Sequence, residues 1–519
     1  MANPLFATKS YETLMKEMAG EHRLRRVLGP VALTSLGVGA IIGTGIFVLT
    51  GQAAHTRTGP ALMLSFVMAG IACIFAALCY AEFASMVPVA GSAYTYAYAT
   101  MGELFAWIIG WDLILEYAVA SSTVAHGWSH YFQALLDQLG IHLPHLLTNA
   151  PFDKDLSTGH LVATGTWFDF PAIAITAIIT IVLVIGIKES AGFNAFMVIV
   201  KLAIVLFVIA VGSFYVNPAN WHPFAPFGLT GIAFFGKTIF GQTSPGGDPV
   251  GMMAGAAVIF FAYIGFDSLS THAEEARNPK RDVPIGIITS LVLCTILYIA
   301  VAAVLTGMVP YNKIDIDAPV SDAFRQAGVP WARFLISVGA VTGITSVLLV
   351  MMLSQPRVFL AMARDGLLPH GFFGAVHDRF RTPWKSTILT GIFVATVAAL
   401  VPLSILAELV NIGTLLAFVM VCAAVMIMRR TNPDAPRPFR APFVPLTPIL
   451  GIAFCALLMF SLPSENWWRL IGWLATGLLI YFFYGRRHSV LGRTLAAEIK
   501  RHGVSPAGSL APEPPDPVR

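Results

Sequence analysis

The stretch Gly37-Val-Gly-Ala-Ile-Ile-Gly-Thr-Gly-Ile-Phe47 lies in the first apolar run of the chain and places four glycines within nine residues. Glycine in a helix interior costs about 1 kcal/mol relative to alanine, so the pattern predicts a local break around residues 42–45. Close helix packing through small residues is the alternative, and it explains the glycines equally well when they are taken alone. After a break, the outer half of the helix would begin near Thr44 and direct unpaired N–H groups toward an anion.

The stretch Ile259-Phe-Phe-Ala-Tyr-Ile-Gly-Phe-Asp267 supplies a counterpart in the sixth apolar run. Gly265 follows a series of bulky residues, and Asp267 is expected at membrane depth. A break near residues 261–264 would free carbonyl groups that accept hydrogen bonds from an ammonium group. Interrupted helices at matching positions of two halves of a chain indicate a transporter binding site. The pairing rests on position, because the two halves share no detectable residue identity.

The composition is typical of a protein embedded in lipid. Of 519 residues, 56% are hydrophobic and 12% are charged, with a mean hydropathy of +0.74, whereas soluble domains carry about 25% charged residues. Nucleic-acid binding is not expected, because the net charge of +4 is small and the basic residues are dispersed. The five cysteines lie in or beside apolar runs without metal-site spacing, so we expect no metal site.

Twelve runs approach the roughly 20 apolar residues that a helix needs to cross a bilayer. They lie at 31–51, 61–86, 93–135, 171–187, 193–215, 250–272, 283–309, 331–362, 384–402, 405–428, 446–463 and 467–484. The third and eighth runs are overlong and are expected to tilt or to extend beyond the membrane. The sequence therefore predicts an all-α integral membrane protein with twelve transmembrane helices.

The predicted organisation is a first five-helix unit at 31–215, an outer loop at 216–249, a second five-helix unit at 250–428 and two further helices at 429–485. Tails at 1–30 and 486–519 flank it, and the second tail is proline-rich and expected to be disordered. About three quarters of the 32 Lys and Arg residues fall on one side of the predicted membrane. The positive-inside rule then places both termini in the cytoplasm.

Three ionisable residues within the runs are candidates for function. Lys201 begins about two turns into the fifth run, and it either snorkels to the headgroups or acts as an internal cation. As an internal cation it would replace a bound metal ion or exchange a proton during transport. Glu116 lies near the middle of the third run, where a structural hydrogen bond and contact with substrate are equally plausible. Asp112 lies one turn earlier and is expected to share its network.

Three further polar residues lie near the ends of these runs. Glu82 is expected to cap a helix or to pair with a loop. His126 and His130 are expected at the outer interface, with a proton relay as the minor alternative.

Together these segments resemble the amino acid–polyamine–organocation superfamily, and within it a bacterial member of the cationic amino acid transporter family. The resemblance covers about residues 25–485. It is carried by Gly39-Ala-Ile-Ile-Gly-Thr-Gly-Ile-Phe47, Glu274-Glu-Ala-Arg-Asn-Pro-Lys-Arg-Asp-Val-Pro-Ile-Gly286 and Gln355-Pro-Arg-Val-Phe-Leu-Ala-Met-Ala-Arg-Asp-Gly-Leu-Leu-Pro369. Tyr80-Ala-Glu-Phe-Ala84, followed by Pro88-Val-Ala-Gly-Ser-Ala-Tyr94, is similar to the segment that joins helices 2 and 3 of the family.

The resemblance implies two inverted five-helix repeats plus two further helices, discontinuous helices 1 and 6, and alternating access around a central site. It implies that the substrate carboxylate meets backbone N–H groups at Gly43, Thr44 and Gly45. The substrate amine would then meet the carbonyls of Ile41, Phe261, Ala262 and Ile264. Phe261 would also be the aromatic gate over the occupied site.

Lys201 matches the helix 5 lysine that, in sodium-independent relatives, stands where a sodium ion sits elsewhere in the superfamily. Its ammonium would lie near helix 1 carbonyls, with Ala40 counted in this pseudo-sodium site, and near the hydroxyls of Thr345 and Ser346. Leu348 and its neighbours on helix 8 would shorten the pocket and favour a small neutral substrate. Glu116 would instead suit a cationic one.

These expectations describe a secondary active permease, sodium-independent and proton-coupled, that imports small neutral L-amino acids such as alanine across a bacterial cytoplasmic membrane. An amino acid/polyamine exchanger and an arginine or lysine uniporter remain alternatives. Protons are the expected coupling ion, and no cofactor is expected. The expected partners are the amino acid and membrane lipid, and the oligomeric state stays open between a monomer and a loose dimer. An enzyme is not expected, because the runs contain no HExxH or GxSxG arrangement.

Overall fold

The computed structural model describes residues 4–9, 28–87, 92–154, 161–186, 191–235 and 237–494. Most of the expected N-terminal tail and the proline-rich C-terminal end lie outside the described residues. The same holds for residues 88–91 of the segment that joins the second and third runs.

Each of the twelve predicted apolar runs overlaps one main helix in the described part of the chain, and we label these helices α1 to α12. Their bounds are Pro30–Ile41, Leu62–Met86, Glu103–Gln138, Phe170–Ile185, Ala191–Gly212, Met252–Ile259, Pro279–Met308, Pro330–Arg364, Trp384–Leu400, Leu403–Thr431, Leu446–Phe460 and Ser464–Ile480. Short α-helices lie at Thr50–Ala53, Ser92–Thr100, Ser268–Thr271, Pro319–Gln326, His370–Phe373 and Arg486–His488. Single 3₁₀ or π turns lie at Pro4–Phe6, Gly45–Leu49, Ala54–Thr58, Gly59–Ala61, His145–Leu147, Ser213–Tyr215, Pro218–Trp221, Phe260–Tyr263, Ala273–Glu275, Tyr311–Lys313 and Tyr481–Gly485.

Seven helical segments of the described chain are long and apolar enough to cross a membrane, or up to eight if α11 and α12 form one span. α11 and α12 meet at a bend of 113°. α1, α4 and α9 are apolar but shorter than the usual span, with 12, 16 and 17 residues. Length and apolarity alone therefore identify fewer than twelve spans. The chain is a predominantly helical protein with several membrane-spanning helices.

The two longest helices form the centre of the packing. α3 has 36 residues and α8 has 35, so each extends over about 50 Å, well beyond the thickness of a hydrocarbon core. This length agrees with the prediction that the third and eighth runs are overlong. α3 packs closely against α8 and α10, while α7 packs against α1 and α2.

Three two-stranded antiparallel hairpins lie in the connections between α3 and α4 and between α5 and α6, the second of which contains the predicted outer loop at 216–249. They pair β1 with β2 (Phe152–Lys154 with Leu161–Ala163), β3 with β4 (Ile232–Phe234 with Lys237–Phe240) and β5 with β6 (Gln242–Thr243 with Pro249–Val250). In register, Asp153 lies opposite Val162 and Thr243 lies opposite Pro249.

Glu82 joins α2 to the chain after α10. Its carboxylate accepts hydrogen bonds from Arg429 Nε at 3.0 Å, from Arg429 Nη2 at 2.6 Å and from the Ala441 backbone N–H at 2.8 Å. The prediction that Glu82 pairs with a loop is thereby confirmed.

His126 is buried rather than interfacial, so that prediction is wrong. Its ring is 2% exposed, with Nδ1 3.1 Å from the Ala398 carbonyl and 3.4 Å from Asp169 Oδ2. Asp169 also accepts the Ala172 N–H at 3.1 Å and thereby caps α4. The buried cap gives His126 a polar partner that the linear sequence did not reveal. His130 is half-buried, and its Nδ1 lies 3.2 Å from Asp317 Oδ1.

α1 stops inside the first apolar run. It ends at Ile41, and Ile42 has φ −74° and ψ 103°, which is an extended conformation. Helical geometry resumes at Thr44 and continues through Gly45–Leu49. The first N–H groups of a helical segment have no acceptor within that segment, so Gly43, Thr44 and Gly45 stand at such a start.

α6 stops in the corresponding place. It ends at Ile259 and is followed by the 3₁₀ turn Phe260–Tyr263. Ile264 is extended, with φ −60° and ψ 136°, and Gly265 has φ +117°, which favours glycine over any other residue. The short helix Ser268–Thr271 follows.

The two interruptions touch each other. A Cβ atom added at Gly45 would lie 2.3 Å from Ala262 Cα, and one added at Gly265 would lie 2.8 Å from the Ala40 carbonyl oxygen. The glycines thus permit a backbone-to-backbone approach between the first and sixth runs, at the positions where each run leaves helical geometry.

We expect the Gly45→Ala variant to be less stable than the wild type. The new methyl group would meet backbone rather than a movable side chain, and overpacking of this kind costs about 1–3 kcal/mol, more than alanine gains in helix propensity. The measurement is thermal unfolding of the purified protein in detergent. Gly472→Ala is the matched control, because nothing lies within 4 Å of a Cβ there. An unfolding temperature for Gly45→Ala at or above that of the control would contradict the close contact.

Candidate functional site

Lys201 binds the backbone of the first interruption. Its Nζ donates to the Gly39 carbonyl at 2.7 Å and to the Ile42 carbonyl at 3.0 Å. The residue is fully buried, which is incompatible with a lysine that snorkels to the headgroups. The break leaves these two carbonyls without their helical donors, and the ammonium compensates both of them.

The other predicted members of the Lys201 environment have different partners. The hydroxyls of Thr345 and Ser346 donate within their own helix, to the Val341 carbonyl at 2.7 Å and the Gly343 carbonyl at 2.9 Å. Thr345 also accepts the indole N–H of Trp128 at 2.9 Å. The Ala40 carbonyl packs against Gly265.

Gly343 is the α8 residue that borders the lysine side chain. A Cβ atom added there would lie 3.3 Å from Lys201 Cβ. The sequence analysis did not identify Gly343. The only indication in the sequence was a small residue one turn before Val347.

Tyr298 of α7 joins the two interruptions, and the sequence reasoning missed it. Its hydroxyl oxygen lies 2.9 Å from the Ile41 carbonyl and 2.9 Å from the Ala262 carbonyl. A hydroxyl has a single proton, so the two carbonyls share one donor. A tyrosine within an otherwise apolar helix was the available signal, because a buried phenol usually has a hydrogen-bond partner.

These contacts change the set of carbonyls that the prediction assigned to a substrate amine. Ile41 and Ala262 share the Tyr298 hydroxyl, and Phe261 accepts the Ile264 N–H at 3.1 Å. Among the described residues, no donor forms a hydrogen bond with the Ile264 carbonyl. Of the four predicted acceptors, Ile264 is therefore the one with its carbonyl free in this conformation.

The buried carboxylates are Asp267, which follows the second interruption, and Glu116 and Asp112 on α3. Asp267 accepts the Tyr117 hydroxyl at 2.8 Å and the Gly265 N–H at 3.3 Å. Glu116, the chain neighbour of Tyr117, is 1% exposed, and neither of its oxygens has a hydrogen-bond partner in the described part of the protein. Asp112 is equally buried and unpartnered there, and it packs against Gly413 of α10. The expected shared network of Asp112 and Glu116 contains no direct hydrogen bond.

The remaining predicted site residues are buried apolar side chains, which we call the apolar wall. Leu348 is fully buried and Phe261 is 5% exposed. Val347 covers the first interruption, because a Cβ added at Gly43 would lie 2.8 Å from Val347 Cγ2. The arrangement combines backbone groups of both signs with an apolar boundary, which suits a small zwitterion.

Comparisons with known proteins identify the family of the chain. The sequence model of the amino acid permease family matches residues 28–482. The chain is 49% identical over 494 residues to a branched-chain amino acid permease of Bacillus subtilis, covering 95% of this chain and 100% of that protein. It is 46% identical over 489 residues to a methylthioribose transporter of the same organism, covering 94% and 99%.

A vacuolar cationic amino acid transporter of Arabidopsis thaliana is 39% identical over 421 residues, which cover 80% of this chain and 65% of that protein. The resemblance to a bacterial member of the cationic amino acid transporter family is confirmed by these matches. The chain is therefore a multi-pass membrane transport protein rather than an enzyme, and it belongs to the amino acid permease family of the amino acid–polyamine–organocation superfamily.

Proposed function

We propose that the chain is a sodium-independent, proton-coupled permease that imports neutral aliphatic L-amino acids, with alanine favoured, by alternating access. The proposal places it in a bacterial cytoplasmic membrane with both termini cytoplasmic. In the proposed topology α1 to α10 form two inverted five-helix repeats with discontinuous first and sixth spans, and α11 and α12 follow. The observation that carries the proposal is the direct contact between two interrupted helices.

The site chemistry supports a zwitterionic substrate. The N–H groups of Thr44 and Gly45 stand at the positive end of a helical segment, which favours a carboxylate. The free Ile264 carbonyl offers an acceptor to an ammonium group. A substrate whose carboxylate binds the Thr44 N–H group and whose ammonium binds the Ile264 carbonyl would use a free backbone donor and a free backbone acceptor together.

The side-chain preference rests on the apolar wall and on one relative. Val347, Leu348 and Phe261 favour an aliphatic group, and the name branched-chain amino acid permease belongs to a protein that is 49% identical. The unpartnered Glu116 supports the cationic alternative, because a buried carboxylate is stabilised by a cationic partner. The methylthioribose relative introduces a substrate that is not a zwitterion.

In the proposed coupling step, Lys201 exchanges a proton during the cycle. Its ammonium donates hydrogen bonds to the Gly39 and Ile42 carbonyls, so loss of the proton weakens the binding of Lys201 to the first interruption. Movement of this segment and proton release would then be coupled, because the neutral amine no longer attracts the two carbonyls as strongly.

Uptake into proteoliposomes tests the function. We expect L-alanine and L-leucine to accumulate when the outside is acidic and sodium is absent, whereas L-arginine and methylthioribose compete weakly. Ligand stabilisation of the purified protein should follow the same ranking, since binding to the folded state raises the unfolding temperature. Counterflow without net uptake would instead favour the exchanger, and selective accumulation of L-arginine would favour the cationic uniporter. Absence of transport and of stabilisation by every amino acid would contradict the proposal.

The Lys201→Met variant tests the coupling role. Methionine removes the charge and both hydrogen bonds, so we expect pH-driven uptake to fall at least tenfold, while L-alanine still raises the unfolding temperature of the purified variant. Leu202→Met is the control for an added methionine on the same helix. Full pH-dependent uptake by Lys201→Met would contradict the proposed role of Lys201 in proton coupling.

A further inference from the structure

A cavity of about 80 Å³ lies beyond the two interruptions, on the side of the hairpin loops. Its lining includes Gln52, Arg57, Lys154, Asp248, Ser404 and Glu408. This volume exceeds what one water molecule requires by several fold. The chemistry proposed for the transport site does not use these residues.

The cavity lies close to that site along both helical segments. Ala53, which lines it, follows Gly45 by about 12 Å of helix, and Val258 precedes Phe261 by about 4.5 Å. The cavity therefore lies on the hairpin side of both interruptions, within about 12 Å of each along its helical segment.

Three ion pairs lie in the lining of the cavity. Arg57 Nη2 lies 2.6 Å from Glu408 Oε1 and 3.6 Å from Asp248 Oδ2, and Lys154 Nζ lies 2.5 Å from Asp248 Oδ2. Arg57 and Glu408 are 9% and 6% exposed. Charges this deeply buried are unfavourable without an opposite partner, so each needs a counter-charge in every state of the protein.

Two polar atoms in the lining have no partner. Gln52 Oε1 and Ser404 Oγ are shielded from solvent, and neither forms a hydrogen bond within the described residues. The first can only accept a hydrogen bond, whereas the second can donate one. Such atoms indicate that the cavity is suited to a polar occupant.

We propose that this cavity is a second binding site, which takes the zwitterionic head of an amino acid before it reaches the interrupted helices. The proposal rests on the proposed function. The ligand carboxylate replaces Glu408 at Arg57 and accepts from Ser404, and the ligand ammonium replaces Arg57 at Glu408 and donates to Gln52. Every buried charge keeps a partner through this exchange.

The need to keep a partner for each buried charge makes the proposed site selective. A ligand with only a carboxylate leaves Glu408 without a cationic partner, and a ligand with only an ammonium leaves Arg57 with Asp248, at 3.6 Å, as its remaining carboxylate. An uncharged sugar derivative compensates neither group. The ion pair therefore opens for a zwitterion and stays closed for solutes that lack one of the two charges.

Equilibrium dialysis of the purified full-length protein with radiolabelled L-alanine, and separately with L-leucine, tests the second site. We expect two molecules bound per chain in the wild type. Ser404→Phe fills the cavity, and the double variant Arg57→Gln with Glu408→Gln removes both charges without leaving one unpaired. Both should bind one molecule per chain, with at least tenfold loss at the second site. Thr396→Phe adds a ring at an exposed position of α9 and should still bind two.

Competition experiments distinguish recognition of both charges of the zwitterion from less selective binding in the cavity. L-Alaninamide, which lacks the carboxylate, and propionate, which lacks the ammonium, should not displace the molecule that Ser404→Phe abolishes. One molecule per chain in the wild type, two in both cavity variants, none in both variants, or displacement by either single-charge analogue would overturn the inference. Failure of the wild type to bind any amino acid would instead refute the proposed function.

Discussion

The structure depends on how polar backbone groups are compensated where two helices are interrupted inside an apolar protein. A lipid bilayer offers no water to an unpaired carbonyl, so each interruption needs donors from neighbouring helices. Lys201 supplies one at Gly39 and Ile42, and Tyr298 supplies another that Ile41 and Ala262 share. The glycines let the two backbones meet closely enough for Tyr298 to reach both.

The division between compensated and free backbone groups explains where a substrate fits. Lys201 and Tyr298 occupy the carbonyls that face α5 and α7, while the Ile264 carbonyl and the start of the helical segment at Thr44 remain for a ligand. In the proposed function, a zwitterion forms hydrogen bonds with these free backbone groups. The ion pair of Arg57 with Glu408 lies farther from the interruptions. In the proposed second site, a zwitterion would pair with these two charged side chains as it pairs with backbone groups at the interruptions.

Local patterns in the sequence predicted much of this arrangement. The spacing of glycines predicted the change in helix geometry at residues 42–45, and the depth of Lys201 predicted either a snorkelling lysine or an internal cation. Tyr298, the Tyr117–Asp267 bond and the Arg57 cluster could not be predicted in this way, because their contacts join residues 36 to 351 positions apart. His126 was misassigned for the same reason, since its partner Asp169 begins a different helix. Apolar length does not show where helical geometry stops within a run, as it does after Ile41 in the first run.

The most direct test of the account is an electron cryomicroscopy structure of the protein with L-alanine bound. The account predicts that the ligand carboxylate lies within hydrogen-bond distance of the Thr44 and Gly45 N–H groups. The ammonium should lie at the Ile264 carbonyl, with Lys201 or Tyr298 still bound to the first interruption. A ligand bound away from both interruptions, or first and sixth segments that run as continuous helices, would contradict it.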